Sequence, residues 1–473
     1  MNPRIAAATL ALFGSVALAI PAAAQPLTPS DTEALRTEIE SLRARLDALE
    51  KRLAGDSSAA AGAAAEAGSD IGSTSQAASP PAATAASGND TPAVIKWKGA
   101  AQIVEDDRSF KAKGRIQADA GYVSQPDGST DKGLGFVNEM RRIRLGAEGS
   151  IGSGVGYKLE LELSDNSVDL VDTYISYRTG GLQLRLGNQN PPWSLDELTG
   201  DTAGNVMERA AFTDAFNFER RLGFVAQYET GDLLTQAGVF TDDVSALAND
   251  SDGPSGGDEN NSYSLHGRLV YAPKIGKTQL HAGASAHWRR LGRITEDGVR
   301  YRQRPYLHAS NSRLIGTRSL LVEREFGYGA ELAAVRGRWQ TAGEVFVQKA
   351  IRGGLPDLTF WGGYAELSYF LTNDTRTYKD GQFGSVAPSK PIGEGGPGSI
   401  QLTLRYDYLD LNDRTVIGGT QDGYIAAIIW SPLSNLRFNL NYANLSYEDA
   451  VALPSGDRSY DVQVLGTRFE FDF

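Results

Sequence analysis

Residues Phe110 to Tyr122 read FKAKGRIQADAGY. Phe110, Ala112, Gly114, Ile116, Ala118, Ala120 and Tyr122 take every second position, and Lys111, Lys113, Arg115, Gln117 and Asp119 fill the gaps. An extended chain sends alternate side chains to opposite faces, so this stretch is a strand with one apolar and one polar face. The pattern recurs along the chain. YKLELEL sets Tyr157, Leu159, Leu161 and Leu163 against Lys158, Glu160 and Glu162, and LQLRLG sets Leu182, Leu184 and Leu186 against Gln183 and Arg185. GYAELSYFL, IQLTLRYDY and LRFNLNY continue it around Tyr369, Leu404 and Phe438. The segments number about 16, an even count of the kind a single-chain outer-membrane barrel requires.

Half-polar strands also build soluble sandwiches, whose wet face meets bulk water. Three features favour an all-β, antiparallel transmembrane barrel instead. Aromatic residues stand near the segment ends (Tyr157, Tyr228, Tyr271, Trp288, Trp339, Trp361, Trp430, Tyr442), as membrane-interface girdles require. Tight connections such as APKIGK and SPLSN alternate with long polar ones, 241–261 and 373–399, which the pattern of short periplasmic turns and long external loops places outside. The chain ends TRFEFDF, where Phe469, Phe471 and Phe473 alternate. A last strand closing on Phe473 resembles the C-terminal signal read by barrel-assembly machinery. A barrel of this size leaves a water-filled channel. Closure leaves no edge, which suits an exported chain without a single Cys.

The residues before the strands divide into three zones. Residues 1–24 carry Arg4, the apolar run Ile5 to Ile20 and the small residues Ala22, Ala23 and Ala24, the layout of a cleaved signal peptide. Residues 31–55 space Leu35, Ile39, Leu42, Leu46, Leu49 and Leu53 by fours and threes, a heptad seam that predicts a short α-helical coiled coil in the periplasm. An amphipathic helix lying on its own protein or on a membrane would carry the same spacing. Residues 56–93 are rich in Ala, Ser, Gly and Pro and read as a flexible linker, with the barrel spanning 94–473. The chain carries 46 Lys and Arg against 58 Asp and Glu, a net −12 that argues against general nucleic-acid binding.

Against that acidic balance, VRYRQRP places Arg300, Arg302 and Arg304 at a spacing of two. A charge facing lipid at the midplane costs roughly 2–4 kcal/mol, so these side chains face water, on the inner wall or on a loop folded inward. Lys111, Lys113 and Arg115 occupy the polar face of the first strand, and MRRIRLGAEG adds Arg142 and Arg144. Guanidinium forks match the paired oxygens of phosphate or carboxylate and stay charged. A file of moderate sites hands an anion along. The same cations paired with Glu148, Glu160, Glu162 or Asp172 would instead form the opposed charge rows of an unselective pore.

Longer motifs carry a more specific likeness. NEMRRIRLGAEGSIGSGVGYKLELEL, DTYISYRTGGLQLRLGNQNPPWSLDELTG and MERAAFTDAFNFERRLGF come first, then RYRQRP, GGYAELSYFLT, LRYDYLDLND and FEFDF. In this order the motifs resemble the phosphate-selective porin O and P family over most of residues 95–473. The resemblance implies a homotrimer of 16-stranded outer-membrane barrels passing phosphate, polyphosphate or other small anions through an arginine ladder assisted by a lysine cluster. On the matching positions, Arg300, Arg302 and Arg304 stand in the ladder. Arg141 and Arg142 match the paired arginines of the second strand, and Arg115 the basic residue of the first. SLDELTGDTAGNVMER, ending on Arg209, matches the loop that folds into the pore, and Arg220 and Arg221 open the next strand. Lys111, Lys113 and Lys349 are the candidates for the lysine cluster. Period two points Arg141 outward where Arg142 points in, unless Arg141 ends the strand or a bulge breaks the alternation.

No cofactor, metal or catalytic residue is expected. A general, weakly selective porin is the alternative of the same class. A cell-envelope anchor and an outer-membrane phospholipase are alternatives of another class, the second because His308 and Ser310 have a His-x-Ser spacing.

Overall fold

The computed structural model describes residues 94–473 except 165, 243, 245–261 and 292–297. The signal peptide, the seam from Leu35 to Leu53 and the linker lie outside the described residues.

Sixteen antiparallel strands form one closed wall: β1 (Arg108–Val123), β2 (Gly135–Gly152), β3 (Val155–Glu162), β4 (Asp169–Thr179), β5 (Leu182–Gln189), β6 (Arg221–Thr230), β7 (Leu233–Phe240), β8 (Tyr263–Tyr271), β9 (Thr278–Arg290), β10 (Arg324–Arg336), β11 (Trp339–Ile351), β12 (Leu358–Phe370), β13 (Ser399–Asp413), β14 (Val416–Leu433), β15 (Leu436–Glu448) and β16 (Tyr460–Asp472). Closure is direct, with Val464 opposite Val123 through to Asp472 opposite Arg115. Phe473 finishes the seam: its N–H donates to Gly114 O at 3.0 Å and its carbonyl accepts from Gly114 N–H at 3.1 Å. Its ring covers Gly114, where a Cβ would lie 2.0 Å from it, so only glycine fits there. Beyond Phe473 the same edge of β1 is taken by a hairpin, Val94–Lys98 with Ala100–Glu105.

The alternation read from the sequence is the alternation of the wall. Along β15, Phe438, Leu440 and Tyr442 point out and are exposed, while Arg437, Asn439 and Asn441 point in and are buried. Outward aromatics collect at two levels. Trp339 and Tyr369 meet at a tilt, with ring centres 4.5 Å apart, beside the tight turns, and Trp361 and Tyr408 at 4.9 Å toward the opposite end. Between Gln117 and Ala118 of β1 the register slips, so that β2 carries Arg141 as an unpaired extra residue. This bulge turns Arg141 inward beside Arg142, resolving the conflict with period two.

One connection differs from expectation. Segment 371–398 joins β12 to β13 at the end that carries the tight turns 153–154, 231–232, 337–338 and 434–435, not at the long-loop end. Strand direction, not loop length, decides the end. The segment turns back into the barrel: Tyr378 Oη lies 2.6 Å from His281 Nδ1 of β9, and Arg268 of β8 donates to Gly381 O at 2.8 Å.

Candidate functional site: an arginine-lined constriction

Loop 190–220 enters the barrel from the long-loop end and carries two short helices, α1 (Leu195–Leu198) and α2 (Ala211–Phe216). Its apolar side is buried against β11 and β12. Trp193 meets Phe346 edge-on at 5.1 Å, and Phe212 stacks on Phe346 and Tyr364 at 5.9 and 6.4 Å. Such aromatic pairs each add about 0.5–1.5 kcal/mol beyond the area they bury. Wall polar groups then take up the loop's backbone donors. Glu344 of β11 accepts from Leu195 and Asp196 N–H at 2.8 and 2.7 Å, Asp407 of β13 from Ala211 N–H at 3.2 Å, and Asn441 of β15 from Met207 N–H at 2.9 Å. Polar backbone so satisfied can sit inside the barrel. The loop's remaining face carries Asp201 and Arg209 toward β1 and β2.

Within loop 291–323, residues 298–323 supply the mouth. Val299 pairs with Leu320, and Arg302–Gln303 with Ile315–Gly316, which keeps this stretch extended. Tyr301 and Gln303 are buried, Arg300 and Arg302 exposed to water, and Arg304 half-buried. The spacing of two is therefore that of a strand, on a loop folded inward. Among the described residues Arg300 and Arg302 meet no carboxylate; Arg300 donates to Ser319 Oγ at 2.8 Å. Arg304 lies 3.8 Å from Asp214 and donates its backbone N–H to the same carboxylate at 2.8 Å. Arg313, absent from the sequence-based candidates, joins the cluster. Burial and the like charges of Arg304 and Arg302 push its guanidinium down to about 10, against the pull of Asp214. Crowded cations of this kind are relieved by an incoming anion.

Arg304 and Asp214 also line the next cavity inward, so these two side chains border both the mouth and the constriction. That cavity is walled by Arg141, Arg142, Arg209, Arg405 and Arg468 together with Asp196, Glu197, Asp201 and Glu208. Here the cations are paired. Arg142 donates to Gln117 at 2.7 Å and lies 3.1 Å from Asp201. Arg209 lies 3.3 Å from Glu197 and 3.4 Å from Asp201. Arg405 contacts Glu366 at 2.7 Å and Asp196 at 3.1 Å, and Arg468 contacts Asp119 and Glu208, both at 2.7 Å. Burial alone would raise the Asp201 carboxyl, but Arg142, Arg209, Arg144 and Arg115 outweigh it and hold it well below the carboxylate range. Glu197 is the reverse case: burial pushes its carboxyl up to about 8 despite Arg209.

Toward the tight-turn end, Arg144 meets Glu162 at 2.7 Å and Glu160 at 3.0 Å, Arg115 meets Asp472 at 2.7 Å, and Lys113 meets Glu148 at 2.9 Å. Lys111 has no ion-pair partner among the described residues. Lys349 stands on the outward face of β11, 3.3 Å from Asp357, and lines no part of the lumen. Arg220 is bound to Asp172 at 2.6 Å, while Arg221 sits apart from the cavity in a cluster with Asp242 and Arg289. Arg405 and Arg468 were also absent from the candidates, although alternation opposite Leu404 and Phe469 placed both on the inner face. His308 contacts Glu139 at 2.9 Å and Ser310 donates to Gly133 O at 2.8 Å, so each engages a different partner.

Comparison with known proteins adds relatives. A family model described as phosphate-selective porin O and P matches residues 110–473. An uncharacterised protein of Caulobacter vibrioides is 58% identical over 474 residues, 98% of this chain and 95% of that one. Porin O of Pseudomonas aeruginosa is 27% identical over 367 residues, 69% of this chain and 79% of that one. Among solved structures, the anion-selective porin from Comamonas acidovorans aligns with a TM-score of 0.49 at 13% identity, over 77% of this chain and 100% of that one.

Proposed function

The chain belongs to the phosphate-selective porin O and P family, and from that premise we propose that it is an outer-membrane diffusion channel for small oxyanions, phosphate or polyphosphate foremost. The observation that carries this reading is the cluster of guanidinium groups at the mouth, Arg300, Arg302, Arg304 and Arg313, with Asp214 as the one acid lining it among the described residues. Among the described residues Arg300 and Arg302 project into water without a carboxylate partner, and Arg304 lines both the mouth and the constriction. In a narrow tube with low-dielectric walls, such a local field outweighs the net −12 of the whole chain. An oxyanion entering there exchanges hydration for paired N–H donors in steps, which suits passage better than one tight site.

A general, weakly selective porin remains the second reading, because Arg115, Arg142 and Arg144 of the wall are already neutralised by acids. The family description supports the phosphate reading; the wall pairs support the general one. The family likeness supports assembly into a homotrimer, the heptad seam from Leu35 to Leu53 supports self-association through a periplasmic coiled coil, and Phe473 is the proposed contact for barrel-assembly machinery during insertion into outer-membrane lipid. No catalytic role is proposed.

The test is the zero-current potential of the purified protein across a KCl gradient, repeated with added phosphate. Anion preference with phosphate block of the chloride current is the expected result. Cation preference would end the proposal, and anion preference without block would favour the general porin.

A further inference from the structure

The outer surface of the wall holds two like charges side by side at its long-loop end. Arg290 ends β9 and Arg324 begins β10, and the register sets them directly opposite each other. Both are exposed. Alternation turns them outward: the neighbouring Arg289 and Glu325 point in and meet each other at 3.2 Å, while Trp288 and Phe326 share the outer face with the pair. Opposed residues on adjacent strands hold their Cβ atoms about 4.5–5.5 Å apart, and like charges so placed repel. Neither guanidinium has a hydrogen bond or ion pair among the described residues. Glu323, the adjoining acid, gives no relief, because its carboxylate is packed against Gly353. Lys349 adds a third cation on the diagonal, since Arg324 faces Ile351 two residues further along β11, and its one acid is Asp357 at 3.3 Å.

The surroundings say what such a pair could meet. The next rung toward the membrane centre is Leu265, Trp288 and Phe326. Tyr263, opposite Arg290 on β8, meets Trp288 edge-on at 5.5 Å. Rings at this level mark the boundary between lipid tails and headgroups. Further down, Ala286, Ala284 and Leu332 are exposed and apolar, a surface for acyl chains. Short turns of such barrels face the periplasm, so the long-loop end stands in the outer leaflet. We propose that Arg290 and Arg324 form a seat for an oxyanion, phosphate or carboxylate, carried on the headgroup of an outer-leaflet glycolipid. Guanidinium forks match paired oxygens, and basic clusters beside an apolar span take anionic headgroups. The lipid's charge relieves the repulsion within the pair while its chains cover the wall below the aromatic level. The seat lies outside the lumen and is independent of the channel reading, so its failure would leave ion preference untouched.

The experiment follows thermal unfolding of the full-length protein in a neutral maltoside detergent by circular dichroism while diphosphorylated lipid A is titrated in. Lipid A is expected to raise the unfolding temperature of the wild type to a plateau. R290Q/R324Q is expected to need at least about tenfold more lipid A for half of that effect, the order set by losing one or two charge-assisted hydrogen bonds. R336Q removes a cation from the same face of β10 at the tight-turn end and is expected to leave the half-effect concentration unchanged. In detergent alone R290Q/R324Q should unfold no lower than the wild type, because the repulsion is gone. Equal response of the wild type and R290Q/R324Q to lipid A overturns the proposal. Loss of the lipid A effect when inorganic phosphate is added at the same concentration of phosphate groups makes the pair a site for free phosphate and also overturns it. A changed oligomeric state in R290Q/R324Q with an unchanged lipid A response assigns the face to a second copy of the chain instead. Should R290Q/R324Q fail to fold, R290Q and R324Q are measured singly, and failure of both to fold makes the pair structural and ends the proposal.

Discussion

The guanidinium groups of loop 291–323 and those of the barrel wall are the same chemistry in opposite states of compensation. Arg300 and Arg302 reach into water without an acid among the described residues, whereas Arg468 is 3% exposed and clasped by Asp119 and Glu208. Backbone context explains the difference. A wall arginine has fixed neighbours on both adjacent strands and on the inserted loop, so an acid can be placed at hydrogen-bond distance on several sides. A loop folded over the mouth has wall on one face only, and Tyr301 and Gln303 use that face. Paired arginines therefore bind the inserted loop to the barrel, and the exposed ones keep their N–H donors open to water.

The largest expected effect tests the paired class. R468Q strands Asp119 and Glu208 without their partner, and breaking a buried pair typically costs about 3–5 kcal/mol. Urea unfolding of the barrel in lipid vesicles should show that loss, and anion preference of the protein that remains folded should change little. A stable R468Q channel would break the comparison at its first term. The second effect tests the unpaired class. Neutralising Arg300, Arg302 and Arg304 together to Gln should lower the anion-to-cation permeability ratio by about an order of magnitude. Substitutions of the exposed Arg300 and Arg302 cost less than about 0.5 kcal/mol each, and the part-exposed contact of Arg304 with Asp214 is worth about 0–1 kcal/mol, so the urea midpoint should move little. A triple variant with unchanged reversal potential would remove the ladder from the mechanism.

Period two made most of the fold legible, because lipid on one side and water on the other leave each strand position only one acceptable chemistry. The same rule puts Arg405 and Arg468 inside, but a lone arginine on a polar face stands out less than a dense basic run such as RYRQRP. Partners were not legible at all. Arg468 and Asp119 stand 349 residues apart and meet only because the last strand closes on the first. The doublet Arg141–Arg142 showed that something had to give, and the register slip opposite Gln117 supplies the answer. Segment 371–398 was visible as long and polar, but its end of the barrel follows from the direction of β12, which requires every strand before it to be counted correctly. Arg313 gave no signal, since nothing local distinguishes it from a solvated loop cation.

A smaller effect concerns pH at the boundary between the two classes. Glu197 is held protonated up to about 8, above the roughly 4.3 of an ordinary glutamic acid. Between those values the folded chain keeps a proton that the unfolded chain loses, so this group's contribution to stability falls as pH rises through that window. In the pore, the same deprotonation near pH 8 puts a negative charge 3.3 Å from Arg209. Anion preference should weaken by about two- to threefold from about pH 7 to 9, as a nearby opposite charge screens the guanidinium. E197Q should flatten the profile, measured as reversal potential against pH. A flat wild-type profile would place Glu197 among the permanently charged acids and shift Arg209 fully into the paired class.

The smallest expected effect is none, and it guards the comparison against mistaking charge for position. Lys349 is as cationic as Arg302, but β11 turns it outward beside Asp357, near the end of the strand where the girdle meets water. An exposed pair of this kind is worth about 0–1 kcal/mol and exerts little field across the wall, since salt screens it from outside. K349Q should therefore leave both the reversal potential and the phosphate half-block unchanged, while K111Q, on the inner face without an acid partner among the described residues, should weaken anion preference measurably. If the two substitutions moved selectivity alike, net charge and not inward placement would govern the pore, and the distinction between paired wall and unpaired mouth would lose its physical basis.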